Sequence, residues 1–362
     1  MTALINFGVI GTGQMAATMM EAFKHLSDVK VLAVASESIE RAQNFATKFN
    51  VPKAYQGADE LLSDQALSAV YIANATESHA VTTIKALKAG KAVLCEKPIA
   101  TTEAENKLIE LQANSAGKLC MEAMWTHFLP AYQRLFELSS SDKLGKPTHL
   151  YADFGYPVNI NLHPRLFKFS AGCGVLLDRG VYPIALAIKL FGGVKQLNAL
   201  VEYNQDDVDT HASLLLAHQN GAQSQLTVSF NSLLQNKAVL SFTGGSASIE
   251  PPLIGAETVT YQSFQMNSRQ HSNATSFKNS LKQQLKQSAL LRRIKSKKNT
   301  AHINYCSYGV NQYLPVLRHF CDLLRLDKLQ SAVIPLSLSG EVLNVIERAK
   351  NMQMMPNRVI IK

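Results

Sequence analysis

The chain has 362 residues, of which 46% are hydrophobic and 17% are charged, and this composition excludes a disordered protein. Its length exceeds that of one ordinary hydrophobic core and predicts two domains. The formal net charge is +9, but residues 258–321 contain ten lysines or arginines and no acidic residue, so this segment accounts for the whole excess. That distribution argues against a nucleic-acid-binding protein.

The spacing of the cysteines and the lengths of the apolar runs indicate the cellular compartment and argue against a membrane-spanning protein. The five cysteines never form a Cys-x-x-Cys pair; they are Cys95, Cys120, Cys173, Cys306 and Cys321. This spacing argues for reduced thiols in the cytoplasm, and against a disulfide framework or a zinc site. No apolar run approaches the roughly 18 residues that cross a bilayer. An apolar strand already begins at Ile5, so we expect no signal peptide and a cytoplasmic protein.

A glycine-rich turn follows the first predicted strand, over residues 5–10, and opens a helical pattern. The turn has the form G-x-G-x-x-A. Its first glycine allows a tight turn, its second lets a pyrophosphate approach the backbone, and its last position needs only a small residue. The N-terminus of the helix then offers free N–H groups to phosphates. We therefore expect a Rossmann dinucleotide site formed by Gly11, Thr12, Gly13, Gln14 and Met15.

The end of the second predicted strand, over residues 31–35, bears on the choice between NAD and NADP. Ser36 and Glu37 are expected to face the adenosine ribose. An acid accepts hydrogen bonds from the ribose 2′-hydroxyl and repels a 2′-phosphate, which favours NAD. Arg41, one turn into the next helix, can reach a 2′-phosphate or can simply lie on a solvated helix face. Both cofactors stay open.

Two further strands end in polar residues at the same predicted edge of the sheet. Ala73 and Asn74 end one strand and are expected near the nicotinamide ribose; Glu96, Lys97 and Pro98 end the other. Ligands of open α/β sheets collect just past the carboxyl ends of the strands, so Lys97 is well placed to meet a substrate. Glu96 is expected to orient Lys97 or contact the nicotinamide ribose. The structural alternative is a solvated Glu-Lys loop.

After about residue 125 the alternation of strands and helices weakens. Period-two patterns predict strands over residues 150–155, 196–203, 212–217, 223–230 and 238–242, which indicates a large antiparallel sheet. One face of that sheet is left for helices and the other for a partner or the active site. A long helix is predicted over residues 305–326, and a final helix over residues 338–352.

Within this second region, a glycine-rich stretch leads into an apolar helix that carries Asp178 and Tyr182. Their i, i+4 spacing places both side chains on one helix face. A phenol beside a lysine can relay a proton to or from a carbonyl or hydroxyl group. Tyr182 can instead be a core residue. Trp125, just past the last strand of the first domain, can line a pocket or pack between domains.

The order of these motifs resembles that of the Gfo/Idh/MocA oxidoreductase family. The resemblance covers nearly the whole chain. It is closest to the dimeric dihydrodiol dehydrogenase branch, which includes NADP-dependent pentose dehydrogenases. It rests on residues 11–13, 96–98, 121–126, 164–167 and 177–183.

The resemblance implies an α/β protein with an N-terminal Rossmann domain and a C-terminal α+β domain. We place the domains at residues 1–125 and 126–362, with the C-terminal helix packing back toward the first domain. The second domain is expected to contain a large, open-faced, mostly antiparallel sheet that forms a homodimer. The implied reaction is hydride transfer between NAD or NADP and a sugar-like or vicinal-diol substrate.

The resemblance also assigns roles to individual residues. Lys97 is implied to be the catalytic lysine, Tyr182 the acid or base, and Asp178 a residue that orients the site or touches substrate. Trp125, Phe154 and Arg165 are implied to contact substrate, and no metal site is implied.

Four residues depart from the pattern of that branch. Glu37 and His127 stand where arginine is expected, Cys173 interrupts a glycine triplet, and Arg179 replaces a small or aliphatic residue. These departures leave the cofactor preference and the substrate open.

Residues 265–299 form a basic insertion relative to the family. Phe277, Leu281 and Leu285 make an apolar stripe beside a lysine stripe, and residues 292–298 are rich in lysine and arginine. The pattern predicts an exposed helix packed on the sheet edge, followed by a basic loop. Membrane-surface contact by residues 277–298, binding of an anionic polymer, or steering of a phosphorylated substrate are the alternatives.

The sequence thus predicts an NAD(P)-dependent dehydrogenase or reductase that acts on CH–OH groups. A non-catalytic NAD(P)-binding sensor or regulator is one alternative, since fold does not fix function. A redox-assisted glycosidase or epimerase is another.

Overall fold

The structure is a computed structural model that describes residues 4–264 and 301–352. The first domain alternates strands and helices. Its strands are β1 (Ile5–Ile10), β2 (Val29–Ser36), β3 (Lys53–Gln56), β4 (Ala69–Ile72), β5 (Ala92–Cys95) and β6 (Cys120–Glu122). Its helices are α1 (Gln14–Phe23), α2 (Ile39–Phe49), α3 (Ala58–Leu62), α4 (His79–Lys88) and α5 (Glu103–Ala116).

The six strands of the first domain form one parallel sheet in the order β3-β2-β1-β4-β5-β6. Strands β4 and β5 are buried along their whole length, which explains why they are continuous apolar runs. The strand order reverses between β1 and β4, and this reversal opens a crevice at the carboxyl ends of the strands. The predicted Rossmann fold is confirmed.

In the part of the second domain that the structure describes there are eight strands and four helices. Its strands are β7 (Pro147–Gly155), β8 (Val194–Tyr203), β9 (Asp209–His218), β10 (Gln223–Ser229), β11 (Ala238–Phe242), β12 (Gly245–Ile249), β13 (Thr258–Ser263) and β14 (His302–Tyr305). Its helices are α6 (Pro130–Ser140), α7 (Val181–Phe191), α8 (Leu314–Arg325) and α9 (Leu336–Met352).

These eight strands form a sheet in the order β14-β13-β12-β11-β7-β10-β9-β8. Only β7 and β10 pair in parallel, so the predicted mostly antiparallel sheet is confirmed. Burial alternates along β9: Leu214 and Leu216 are buried, whereas Leu215 between them is 51% exposed. Helix α7 covers one face of the sheet through β7 and β10. The other face is open within the described residues.

Helix α9 lies between the two sheets. The Asn106 side chain on α5 donates to the carbonyl of Leu336, and the Asn344 side chain donates to Glu103 at 2.7 Å. The same helix packs on α7 and β8. The last helix therefore joins the Rossmann domain to the second sheet.

The prediction of one long helix over residues 305–326 is wrong in its first half. Strand β14 ends at Tyr305, and α8 begins only at Leu314. Gly309 between them has φ of +79°, and the Asn311 side chain accepts a hydrogen bond from the backbone N–H of Tyr313. Both features are typical of loops. The helical spacing of the apolar residues led to the prediction of a helix there.

The predicted basic helix and loop of residues 265–299 lie outside the described residues. Among the helices of residues 4–264 and 301–352, none combines the length and apolar character needed to cross a bilayer.

Candidate active site

The glycine-rich turn is fixed against the end of β4. The backbone N–H of Gly11 donates to Ala35, and that of Ala73 donates to Ile10. Gly11 has φ of +114°, and a Cβ atom built on it would lie 2.3 Å from the carbonyl oxygen of Ala73. Any larger residue there would be both strained and in collision, so the turn requires glycine at this position.

The N-terminus of α1 is open in a way that suits a pyrophosphate. Gly13 is the N-cap of α1, no side chain caps the helix, and a Cβ on Gly13 would meet no atom within 4 Å. Gln14 and Met15 form the first turn, so their free N–H groups border this space. The buried side-chain oxygen Oδ1 of Asn74, past the end of β4, has no partner among the described residues. These features fit a bound dinucleotide.

The region expected to hold the adenosine carries charges of both signs. A cleft of about 320 Å³ lies between α1 and α2 and is lined by Thr12, Gly13, Gln14, Ala17, Arg41, Asn44, Phe45 and Lys48. Thr12 donates to Ser36 at 3.4 Å, which joins the glycine turn to the end of β2. Glu37 is exposed, and its backbone carbonyl accepts from the Gln56 side chain. The acid Glu37 and the bases Arg41 and Lys48 thus lie in or beside this region.

Lys97 meets the second domain directly. Its Nζ donates to the backbone carbonyl of Asp178 at 2.8 Å and to Oδ1 of the same residue at 3.1 Å. It also lies 5.0 Å from the centre of the Tyr182 ring. Burial alone would lower the pKa of Lys97, but the charges of Asp178, Tyr182 and Glu96 outweigh burial and raise it above its usual value. Lys97 is therefore an ammonium ion at neutral pH.

Asp178 lies in a single turn of π-helix, Leu176–Gly180, which runs directly into α7. Such turns are rare and concentrate at functional sites. Asp209 anchors the start of this turn: its Oδ2 accepts from the N–H of Leu176 at 2.7 Å. A Cβ on Gly174 would overlap that carboxylate, so glycine is required there, whereas the neighbouring Cys173 is accommodated and buried.

Tyr182, the second residue of α7, is surrounded by aromatic rings. Trp125 and Phe154 contact it edge-on, with ring centres 6.4 and 5.8 Å away, and Tyr313 lies 4.8 Å from Trp125. Burial raises the pKa of Tyr182, and the Lys97 ammonium opposes that rise. The phenol therefore keeps its proton at neutral pH and can donate it.

Glu96 is turned into the protein. One carboxylate oxygen accepts from the Tyr71 hydroxyl at 2.6 Å, and the other lies 3.3 Å from the backbone nitrogen of Lys97. Burial raises the pKa of this carboxyl group, while the hydrogen bond from Tyr71 opposes that rise. Glu96 thus contacts the residue that it was expected to orient.

Two buried side chains hold the backbone that follows Lys97. The Nδ1 atom of His79 lies 2.8 Å from the carbonyl oxygen of Pro98, and its Nε2 lies 3.3 Å from that of Asn74. Glu122, at the end of β6, accepts from the N–H of Ile99 at 2.9 Å and from Ser339 of α9 at 2.6 Å. The sequence pattern did not single out Glu122, although an acid at a buried strand end is the signal that could have found it.

Three other residues bear on the expectations from the sequence. Arg165 is exposed on a short 3-10 turn, and within the described residues it makes no hydrogen bond or ion pair with Lys97, Asp178 or Tyr182. His127 is fully buried beside Tyr132, and burial lowers its pKa to about 3. The imidazole is therefore neutral, whereas the arginine expected at this position would carry a positive charge. Tyr313, inside the wrongly predicted helix, was missed.

Comparison with known proteins agrees with this geometry. Residues 5–124 match the Gfo/Idh/MocA oxidoreductase family with an NAD-binding Rossmann fold, and residues 132–250 match the C-terminal domain of the same family. The chain is 34% identical over 250 residues to trans-1,2-dihydrobenzene-1,2-diol dehydrogenase of Mus musculus, which covers 68% of this chain and 74% of that protein. The Sus scrofa enzyme of the same name is 34% identical over 253 residues, with 68% and 75% covered.

Solved structures share the whole fold. A 3-ketoreductase from Actinomadura kijaniata, crystallised with NADP and TDP-benzene, has a TM-score of 0.77 at 21% identity, with 96% of this chain and 97% of that one covered. An oxidoreductase from Agrobacterium radiobacter, crystallised with NAD+, L-tartaric acid and magnesium, has a TM-score of 0.76 at 18% identity, with 97% and 96% covered. Together with the sequence matches, these findings show that the chain belongs to the Gfo/Idh/MocA family and is an NAD(P)-dependent oxidoreductase.

Proposed function

We propose that the protein transfers hydride between a nicotinamide cofactor and the CH–OH or C=O carbon of a sugar-like or vicinal-diol substrate. The bound cofactor supplies or accepts the hydride at its nicotinamide ring. The diol class is supported by the relatives, which are named as dehydrogenases of a cyclic vicinal diol. The observation that carries the proposal is the Lys97 ammonium, held by Asp178 and lying 5.0 Å from the Tyr182 ring at the cofactor edge of the sheet.

The roles of the two residues follow from their protonation states. In the reducing direction, the Tyr182 hydroxyl would give its proton to the substrate carbonyl oxygen as the carbonyl carbon is reduced. The Lys97 ammonium stabilises the negative charge that develops on that oxygen, and afterwards on the phenolate. Solvent then restores the phenolic proton. In the oxidising direction the same steps run in reverse.

Replacement of Lys97 by methionine tests this proposal. Lys97→Met removes the ammonium and keeps most of the length of the side chain, so turnover should fall to background while NAD(P)H still binds. Binding is measured by the fluorescence of the reduced cofactor, and turnover by its absorbance with a panel of sugars and diols. Lys107→Met is the matched control, because Lys107 pairs with Glu110 on the surface of α5.

Each outcome of this experiment is informative. Undiminished turnover in Lys97→Met would remove the lysine from the mechanism. If the unaltered protein binds cofactor but transfers no hydride to any member of the panel, it is a sensor or regulator. If substrate is converted without net change in reduced cofactor, the protein is a redox-assisted glycosidase or epimerase.

We also propose that the open face of the second sheet forms a homodimer. Leu200 on β8 and Leu215 on β9 are each 51% exposed, and Tyr151 on β7 is partly exposed beside them. They border a shallow hollow of about 410 Å³ across β7, β8, β9 and β10. Exposed aliphatic residues on a flat sheet face favour a second copy of the same face as partner.

The dimer proposal is tested by the mass of the protein in solution. Leu215→Glu should convert dimer to monomer in analytical ultracentrifugation, because a buried carboxylate without a partner opposes association. Leu108→Glu is the control, since Leu108 is similarly exposed but lies on α5. A monomeric unaltered protein, or a Leu215→Glu variant that stays dimeric, would contradict the proposal.

Two smaller proposals concern location and domain limits. All five cysteines are unpaired, which supports a reducing compartment such as the cytoplasm. We place the domain boundary near residue 125, between the end of β6 and the start of α6. This position is supported by the sheet membership of the strands on each side.

A further inference from the structure

Arg179 is the charged residue of the π-helical turn that the proposed mechanism does not use. Its side chain is 2% exposed. Its Nη1 atom donates to the backbone carbonyls of Tyr156, at 2.8 Å, and of Ser229. The guanidinium carbon lies 3.7 Å from the ring centre of Tyr156, 4.8 Å from that of Phe230 and 5.4 Å from that of Phe154. The cation is therefore enclosed by three aromatic rings.

The charge of this guanidinium is balanced by one neighbouring carboxylate. Its Nε atom lies 4.0 Å from Oδ2 of Asp178 and makes no hydrogen bond within the described residues. The other carboxylate oxygen of Asp178 accepts from Lys97. One carboxylate group thus lies between two cations, one from each domain. Burial lowers the pKa of Arg179, and the charges of Tyr156 and Asp178 oppose this change.

We propose that Arg179 is a positioning residue that fixes the Asp178 carboxylate, and through it the Lys97 ammonium, next to Tyr182. The two carbonyls of Tyr156 and Ser229 fix the guanidinium, and the guanidinium attracts Oδ2. The carboxylate then turns Oδ1 toward Lys97. This inference rests on the proposed function for its kinetic consequences, but its geometric consequence stands alone.

The same guanidinium also supports the aromatic side of the site. Phe154 lies between Arg179 and Tyr182 and contacts both of them. An uncharged side chain at position 179 would keep some of this packing and lose the attraction to Asp178. A lysine would keep the charge and a donor for the carbonyls, but it lacks the Nε–H that faces Asp178 and the planar group that packs against the rings.

The test compares Arg179→Met and Arg179→Lys in the full chain with cofactor bound. Arg179→Met should lower kcat by about tenfold to a hundredfold, because a small displacement of a catalytic group is enough for such a loss. The dissociation constant of NAD(P)H should change by less than about twofold, since Arg179 lies away from the glycine-rich turn. Arg179→Lys should lose less of kcat than Arg179→Met. Arg325→Met is the control, because Arg325 pairs with Asp28 and Asp322 elsewhere.

A double-mutant cycle separates positioning from general support of the fold. If Arg179 acts through Asp178, Arg179→Met should lower kcat far less in an Asp178→Asn background than in the unaltered protein. Losses that simply multiply would overturn the proposal. Equal kcat for Arg179→Met and the unaltered protein would also overturn it.

A crystal structure of Arg179→Met with cofactor gives a readout that needs no turnover. The Lys97 Nζ to Asp178 Oδ1 contact, 3.1 Å in the unaltered protein, should be broken. Retention of this contact would contradict the positioning role. If Arg179→Met does not fold, the same distance in Arg179→Lys decides, with a lengthened contact expected. Absence of hydride transfer by the unaltered protein would refute the proposed function and leave this geometric test valid.

Discussion

The two walls of the active site are built differently. The Lys97 wall, residues 96–98 at the end of β5, is held by directional polar contacts: Glu96 bonds to Tyr71, and Pro98 lies against His79. In the Tyr182 wall, residues 176–182, hydrogen bonds hold Leu176 and Arg179, whereas the Tyr182 side chain is held by ring packing against Trp125 and Phe154. The first wall fixes a backbone, whereas the second fixes a side chain.

The comparison shows where the site depends on both domains. The polar contacts of the Lys97 wall hold its backbone and the Glu96 side chain, whereas the lysine Nζ is held only by Asp178 among the described residues. The Tyr182 wall in turn receives the Lys97 ammonium as the cation that opposes the rise in the pKa of its phenol. The position of the Lys97 ammonium and the pKa of the Tyr182 phenol therefore each depend on the opposite wall. Substitutions that affect the chemistry, the cofactor binding and the buried polar contacts separately therefore test this difference between the walls.

The largest effect is expected from Tyr182→Phe. The ring contacts with Trp125 and Phe154 remain, but the proton donor is lost, so kcat should fall by about a hundredfold to ten-thousandfold. Thermal stability and cofactor affinity should stay close to those of the unaltered protein. Steady-state kinetics, fluorescence titration and thermal unfolding measure the three quantities.

Tyr55→Phe is the control for that change, since Tyr55 lies on β3, away from the site, and its hydroxyl bonds to Asp64. A Tyr182→Phe variant with nearly full kcat would mean that the second wall provides packing alone. A variant that loses cofactor affinity as well would mean that the hydroxyl supports the cofactor rather than the substrate.

A smaller effect is expected when alanine replaces Gly11 or Gly13 of the glycine-rich turn after β1. Gly11→Ala places a Cβ against the Ala73 carbonyl at a positive φ, so it should lower the free energy of unfolding by about 1–3 kcal/mol and weaken NAD(P)H binding. Gly13→Ala meets no protein atom, so it should weaken cofactor binding and leave stability nearly unchanged. Denaturant unfolding and fluorescence titration distinguish the two. Unchanged NAD(P)H affinity in Gly13→Ala would contradict the proposed location of the pyrophosphate.

The same contrast explains what the sequence could predict. The glycine turn and Lys97 were predictable because their signals are local: a motif, a strand end and a helix start within a few residues. Lys97 lies beside Tyr182 as expected, but its direct partner is Asp178, and the geometry of the Asp178–Tyr182 segment differs from the expected one. Asp178 lies in a π-helical turn and Tyr182 in the α-helix after it, so a regular i, i+4 face is not the arrangement.

The remaining parts of the site depend on contacts between distant segments. Tyr313 reaches Trp125 only because residues 306–313 form a loop and not the predicted helix. Glu122 meets Ser339 across 217 positions of the chain. Arg179 was noticed as unusual, but its burial depends on the carbonyl of Ser229, 50 positions away. No periodic pattern encodes such pairings.

The smallest predicted effect concerns the buried polar support of the Lys97 wall. Glu122 is buried; burial raises its pKa, and the hydrogen bonds from Ser339 and Ile99 oppose that rise. A carboxyl group whose pKa is raised by folding stabilises the fold below its unfolded pKa, and this contribution is lost as the pH rises through the folded pKa. Glu122→Gln keeps a carbonyl acceptor for the Ile99 N–H and removes the titration.

Relative to the unaltered protein, Glu122→Gln should therefore gain stability as the pH is raised through and above the usual range of a glutamate carboxyl group. Thermal unfolding across this range measures the difference, with Glu137→Gln as the control because Glu137 is exposed on α6. Parallel stability curves for Glu122→Gln and the unaltered protein would mean that the carboxyl group does not titrate differently in the folded state. In that case the Lys97 wall would be held by hydrogen-bond geometry alone, without the cost of a buried charge.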